Sequence, residues 1–132
     1  MERVEEVVVG YCRRVGAKPP PPDANGGFVL RFQDSIEVHL SGDGRDRLLL
    51  RADLPQLKRD RSRRDALQRL MRVNLLLSGR KRATLTLDNA VETPFLYTWL
   101  SVGPTDVDSS YRSITTFVNE VAAFHKALNR SH

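Results

Sequence analysis

Between residues 27 and 54 the apolar side chains recur at every second position, whereas in the segments on either side, residues 2–15 and 66–77, they recur at every third or fourth. The two periods belong to strands and helices respectively, so the chain must place a sheet between flanking helices. Phe28, Leu30 and Phe32 share one strand face, with Val29 and Arg31 on the other. Ile36, Val38 and Leu40 alternate with Glu37 and His39, and Leu48 and Leu50 lie opposite Leu49. The links are the short Gln33-Asp34-Ser35 and the turn-rich SGDGRD, so the three strands are expected to form an antiparallel meander.

The flanks read as helices. Across residues 2–15, Val4, Val7, Val8, Tyr11, Cys12 and Val15 fall at helical spacing. Glu2, Glu5 and Glu6 suit the positive end of the helix dipole, Arg13 and Arg14 suit the negative end, and Gly16 is the expected stop. AKPPPPDANGG follows. Four prolines can join neither a helix nor a central strand, so this reads as an extended spacer closed by a flexible turn, with a docking ligand as the rival reading. Pro55 ends the third strand, and Ser62 with Asp65 resembles a helix-opening cap. Leu67, Leu70, Val73/Asn74 and Leu77 then form a stripe, Leu75 and Leu76 extend apolar surface beyond it, and Gly79 ends the helix. Residues 83–88, ATLTLD, make a fourth strand with Leu85 and Leu87 aligned. Residues 95–102, FLYTWLSV, make a fifth, apolar on both faces and so expected to be covered on both sides. After Gly103-Pro104, Thr105 or Asp106 can cap a last helix carrying Tyr111, Ile114, Phe117, Val118, Val121, Phe124, His125 and Leu128. The order α-β-β-β-α-β-β-α predicts an α+β fold, an antiparallel sheet flanked by helices, in one domain over residues 1–132.

Composition bounds the function. The chain has 132 residues, of which 40% are hydrophobic, so it carries enough apolar surface for one core. No apolar run approaches the roughly 18 residues of a membrane helix. MERVEEVVVG is acidic where a cleaved signal is basic, and a single cysteine, Cys12, leaves no internal disulfide, so a reducing cytoplasm is expected. No cofactor, metal or catalytic residue is expected. His39, His125 and His132 share no metal-ligand spacing, Cys12 lies on an apolar helix face, and there is no phosphate-binding loop. The net charge of +5 is uneven: residues 58–82 hold ten basic and two acidic residues, while the rest of the chain has a net charge of −3. A solvated, arginine-rich helix start accounts for this block, and nucleic acid or an acidic protein would also be attracted to it. A basic nucleic-acid-binding module is therefore the alternative function. Its weakness is that no aromatic residues are interleaved with the charges.

In this order, LQRLMRVNLLLSGRKRATLTLD (residues 67–88) resembles a segment of the class I type III secretion chaperones, the Tir-chaperone family: a leucine-rich helix, an asparagine, a glycine-containing link and a strand closing in Leu-x-Leu-Asp. FVLRF, IEVHL and LLLRADL resemble the family's meander, and FLYTWLSV with Phe117-Val118-Asn119-Glu120 its last strand and helix. The chain departs from the family in its basic charge and in the longer link over residues 89–94. The resemblance implies a small cytoplasmic homodimer that binds the N-terminal part of a secreted effector, keeps it competent for export without ATP hydrolysis, and meets the export apparatus. It also implies a dimer seam on the second helix and last two strands, with the effector held by the first helix and the meander.

The residues point the same way. A helix end and a strand that are apolar on two sides exceed what one core consumes, and such surplus marks an interface. Leu70, Val73, Leu77, Leu85 and Trp99 are the expected dimer residues. Val8, Tyr11, Val29, Ile36 and Leu49 are the expected effector-binding residues. Intrachain core is the rival reading for each.

Overall fold

The structure is a computed structural model that describes residues 3–32, 36–43, 46–54, 63–77, 79, 83–88, 93–103 and 107–130. Helix α1 (Arg3–Arg14) leads into strands β1 (Phe28–Arg31), β2 (Glu37–Gly42) and β3 (Arg47–Asp53). Helix α2 (Arg63–Leu77), strands β4 (Thr84–Asp88) and β5 (Thr93–Ser101), and helix α3 (Val107–Arg130) complete the order expected from the periodicity. The sheet is antiparallel throughout, in the order β1-β2-β3-β5-β4. The chain thus leaves β3 through α2, lays β4 at the far edge and returns β5 into the gap.

Register fixes which side chains meet the helices. Phe28 faces Leu40, Leu30 faces Val38, Leu40 faces Leu50, Leu50 faces Thr98 and Ala52 faces Leu96. This inner row packs with Val4, Val7, Val8, Tyr11 and Cys12 of α1, with Leu70 and Val73 of α2, and with Ile114, Phe117, Val121, Phe124 and Leu128 of α3 in one core. The outer row is Val29, Arg31, Glu37, His39, Arg47, Leu49, Arg51, Phe95, Tyr97 and Trp99. None of these joins the core. The chain itself therefore covers β5 on one side only, and among the described residues its outer Phe95 and Trp99 carry arginine side chains, not a helix.

Element ends differ from the expectation where hydrogen bonding extends a ladder. Ser41 and Gly42 pair with Leu49 and Leu48, so β2 runs into what reads as a turn. β5 begins two residues early, at Thr93, because Pro94 lacks only a donor and its carbonyl accepts from Leu54 N–H at 2.8 Å. Gly16 stops α1 as expected, at φ 75°: its own N–H reaches the Arg13 carbonyl and that of Ala17 reaches the Cys12 carbonyl, the paired bonds of a left-handed helix stop. The turn after the proline spacer is tied down. The Asp23 carboxylate accepts from Asn25 N–H and Gly27 N–H at 2.8 Å each, and Asp23 N–H donates to the Gly27 carbonyl at 2.7 Å. The cap readings at Ser62, Thr105 and Asp106 fall outside the described residues.

Candidate functional site

The expected dimer stripe on α2 is the face the chain itself buries. Leu70 is 3% exposed and Val73 is fully buried, so neither has area left to give a partner, and Leu77 is half-buried against the core. The reason is geometric: the most regular stripe of a helix meets its own core, and surplus apolar residues lie off it. On α2 those are Met71, Leu75 and Leu76, which are 62%, 75% and 70% exposed. Their signal in the sequence was the pair Leu75-Leu76 standing outside the stripe.

Leu85 and Trp99 do not share a surface. Leu85 faces Leu96 on the inner row, while Trp99 faces Leu49 on the outer row. Trp99 is 42% exposed, and the Arg47 guanidinium lies 4.6 Å from its ring centre. Arg51 lies 3.7 Å from the ring centre of Phe95. Such contacts at exposed sites are worth about 0.5–1 kcal/mol each and shield apolar ring faces from water. Carboxylates balance the guanidinium charges here: Arg31 pairs with Glu37 at 2.7 Å, Arg47 with Asp43 at 3.1 Å and Arg51 with Asp53 at 3.2 Å. Among the described residues the outer face is an aromatic surface whose Arg31, Arg47 and Arg51 are each paired with a carboxylate, which leaves those three cations less available to phosphate.

Of the expected effector-binding residues, Val8, Tyr11 and Ile36 are core. Tyr11 packs its ring against Phe32 and Tyr111, with centroids 6.5 and 6.3 Å apart, and its hydroxyl lies 3.3 Å from that of Thr115. Val29 and Leu49 are half-buried on the outer row. Val29 also lines a groove with Cys12, Lys18, Pro20, Pro21 and Arg31, between the proline spacer and the edge strand β1. An edge strand carries backbone donors and acceptors that its sheet leaves unused.

Burial pushes the Cys12 thiol above its ordinary pKa, which suppresses the reactive thiolate. His125 is a structural histidine: burial lowers its pKa, a bond with the Asp53 backbone partly opposes that, and Nε2 is buried with no partner among the described residues. Among the described residues no group of three His, Cys, Asp or Glu could hold a metal ion, and no helix is long and apolar enough to cross a membrane. Of the basic block, residues 58–62 and 80–82 lie outside the described residues. Arg69 is a structural tie, its guanidinium donating to the Leu128 carbonyl of α3 at 2.6 Å.

The family model of the Tir chaperone protein (CesT) family matches residues 10–124. The chain belongs to that family. As a CesT-family protein it is a secretion chaperone and not an enzyme. No curated protein matches the sequence significantly. Among solved structures, one chain of the ExsC–ExsE complex is similar at 18% identity and a TM-score of 0.71, over 96% of this chain and 93% of the other. A chain of the HopA1–SchA chaperone–effector complex is similar at 18% identity and a TM-score of 0.69, over 94% of each. The Yersinia pestis type III secretion chaperone SycH, in complex with a fragment of YscM2, is similar at 14% identity and a TM-score of 0.62, over 92% and 98%. At these identities the likeness is one of fold, and this CesT-family chain shares it over at least 92% of its length.

Proposed function

We propose that this chain binds the N-terminal region of a type III secreted effector in the cytoplasm, as a homodimer and without ATP hydrolysis, and keeps it competent for export. The observation that carries the reading is apolar surface left open by a member of this family: Met71, Leu75 and Leu76 on α2 and the aromatic outer row of β5. The solved complexes of similar fold pair such chains with an effector or a protein fragment, which supports the same use here. Leu75 and Leu76 serve the seam between copies. The edge of β1, the groove under the proline spacer, Val29 and Leu49 serve the client. An extended segment can add to a strand edge through its backbone while alternate side chains enter the adjoining groove. Ordering such a client costs several kcal/mol, so contact must be broad. A standard interface buries about 800 Å² per partner. The few exposed side chains fall short of that, and half-buried neighbours must join.

The test is co-expression with the N-terminal region of a type III effector encoded in the same genome, followed by light scattering. The expected result is one effector segment per two copies of the chain, with that segment protected from protease while bound. A particle with the mass of one chain at micromolar concentration would overturn the dimer. Failure to bind any such effector would overturn the client assignment.

A further inference from the structure

The proline spacer meets β1 as the first rung of a strand ladder, and the ladder stops there. Asp23 N–H donates to the Gly27 carbonyl at 2.7 Å, and the Asp23 carboxylate accepts the Gly27 N–H at 2.8 Å, around a turn that Gly26 closes at φ 80°. Continued as an antiparallel ladder, that pairing would set residue 21 opposite Val29 and residue 19 opposite Arg31. The chain has Pro19, Pro20, Pro21 and Pro22 there. Proline has no N–H to donate, and its ring holds φ near about −65°, far from the roughly −140° of an antiparallel strand. In place of further rungs there is a groove, lined by Cys12, Lys18, Pro20, Pro21, Val29 and Arg31.

The open edge of β1 faces this groove. Phe32 N–H donates to the Ile36 carbonyl at 2.8 Å, so the backbone groups of Phe28 and Leu30, in step with Phe32, point to β2. Those of Val29 and Arg31 point the other way, toward the spacer. Among the described residues nothing bonds to these four backbone groups. Both ends of the spacer are fixed, since Ala17 N–H returns to the Cys12 carbonyl at 2.8 Å and Asp23 holds the turn. A short segment tied down beside an edge strand is well placed to pair with it and add a sixth strand to the five-stranded sheet. We propose that Pro19 and Pro21 keep the protein's own chain off the β1 edge, so that the edge stays available to the extended segment of a client. This role rests on the client groove proposed above and names what keeps that groove empty: two N–H groups that the chain lacks, at the two positions in register with the edge.

Restoring those donors is the test. Pro19→Thr with Pro21→Thr returns an N–H at each in-register position and supplies strand-favouring residues. Pro20→Thr with Pro22→Thr makes the same chemical change one position out of register, where the N–H groups point away from β1. Amide hydrogen exchange at Val29 and Arg31 is followed by NMR in the full chain with no effector present, after circular dichroism has shown both variants folded. In the wild type these amides should exchange at least about tenfold faster than those of Phe28 and Leu30. The in-register variant should slow them about tenfold or more, and the out-of-register variant should leave them within about twofold. Affinity for a co-expressed effector segment should fall with the in-register variant only. Unchanged exchange in the in-register variant, or equal slowing in both variants, overturns the proposal. So does wild-type protection at Val29 and Arg31 equal to that at Leu30, which means that the edge is already paired, by a second copy if the protection is lost on dilution. Slowed exchange with effector binding unchanged keeps the role of the prolines and takes the client off this edge, so the two readings fail separately.

Discussion

Gly10 lies where α1 crosses α3, and a β-carbon there would fall inside the hydroxyl of Tyr111. Tyr111 is held on its other sides by Tyr11, at 6.3 Å between ring centres, and by the Arg14 guanidinium at 5.3 Å. Gly10→Ala should therefore lower stability by about 1–3 kcal/mol, even though alanine is the better helix former by about 1 kcal/mol. Tyr111→Phe should recover part of that loss by removing the nearest atom, as read by urea denaturation of the single and double variants. His125 makes a separate residue-scale prediction. Its lowered pKa means that the unfolded chain binds more protons as pH falls through the ordinary imidazole range, about 6.5. Stability should therefore decrease from about pH 7.5 to about pH 5.5. His125→Phe should flatten that part of the profile, and an unchanged profile would remove His125 as its source. Neither effect was legible in the chain: Gly10 reads as one more weak helix position, and the environment of His125 is set by β3 and α3, which are far apart in sequence.

Elements were more legible than residues because period survives in the sequence and orientation does not. The alternation at Phe28, Leu30, Val38, Leu40, Leu48 and Leu50 named the inner row of the sheet correctly, since each of these is buried. For α2 the same logic found the right face and gave it the wrong partner. Leu70 and Val73 belong to the chain's own core, and nothing in a single helix period separates core from seam. The two-faced strand β5 posed the same ambiguity. Register assigns Leu96, Thr98 and Leu100 inward and Phe95, Tyr97 and Trp99 outward, and no pattern within β5 says which side the helices take. Substitutions on α2 separate the two faces. Val73→Asp places an unpaired charge in the core and should abolish folding, because burying a lone carboxylate exceeds the total stability of a typical domain this size. Leu75→Asp with Leu76→Asp should leave circular dichroism and melting nearly unchanged while halving the mass seen by light scattering. A double variant that retains the wild-type dimer mass would move the seam off this row.

At the scale of the molecule, charge and grease occupy the same element. The exposed leucines sit at the end of α2, inside the 58–82 segment whose net charge is +8 against −3 for the rest of the chain. Apolar contact between copies at Leu75 and Leu76 is insensitive to moderate salt, since burial gains about 25 cal/mol per Å² without regard to ionic strength. Bringing two such segments together is repulsive, and that repulsion is screened once the Debye length falls from about 10 Å near 0.1 M salt towards 3 Å near 1 M. Self-association should therefore tighten as salt rises, opposite to the weakening expected for any contact with nucleic acid. Sedimentation at about 0.05, 0.15 and 0.5 M salt measures this directly. A dissociation constant that falls several-fold across the series places the basic segment beside the seam. One that rises shows attraction across the interface, and the seam then joins the basic segment of one copy to acidic surface of the other.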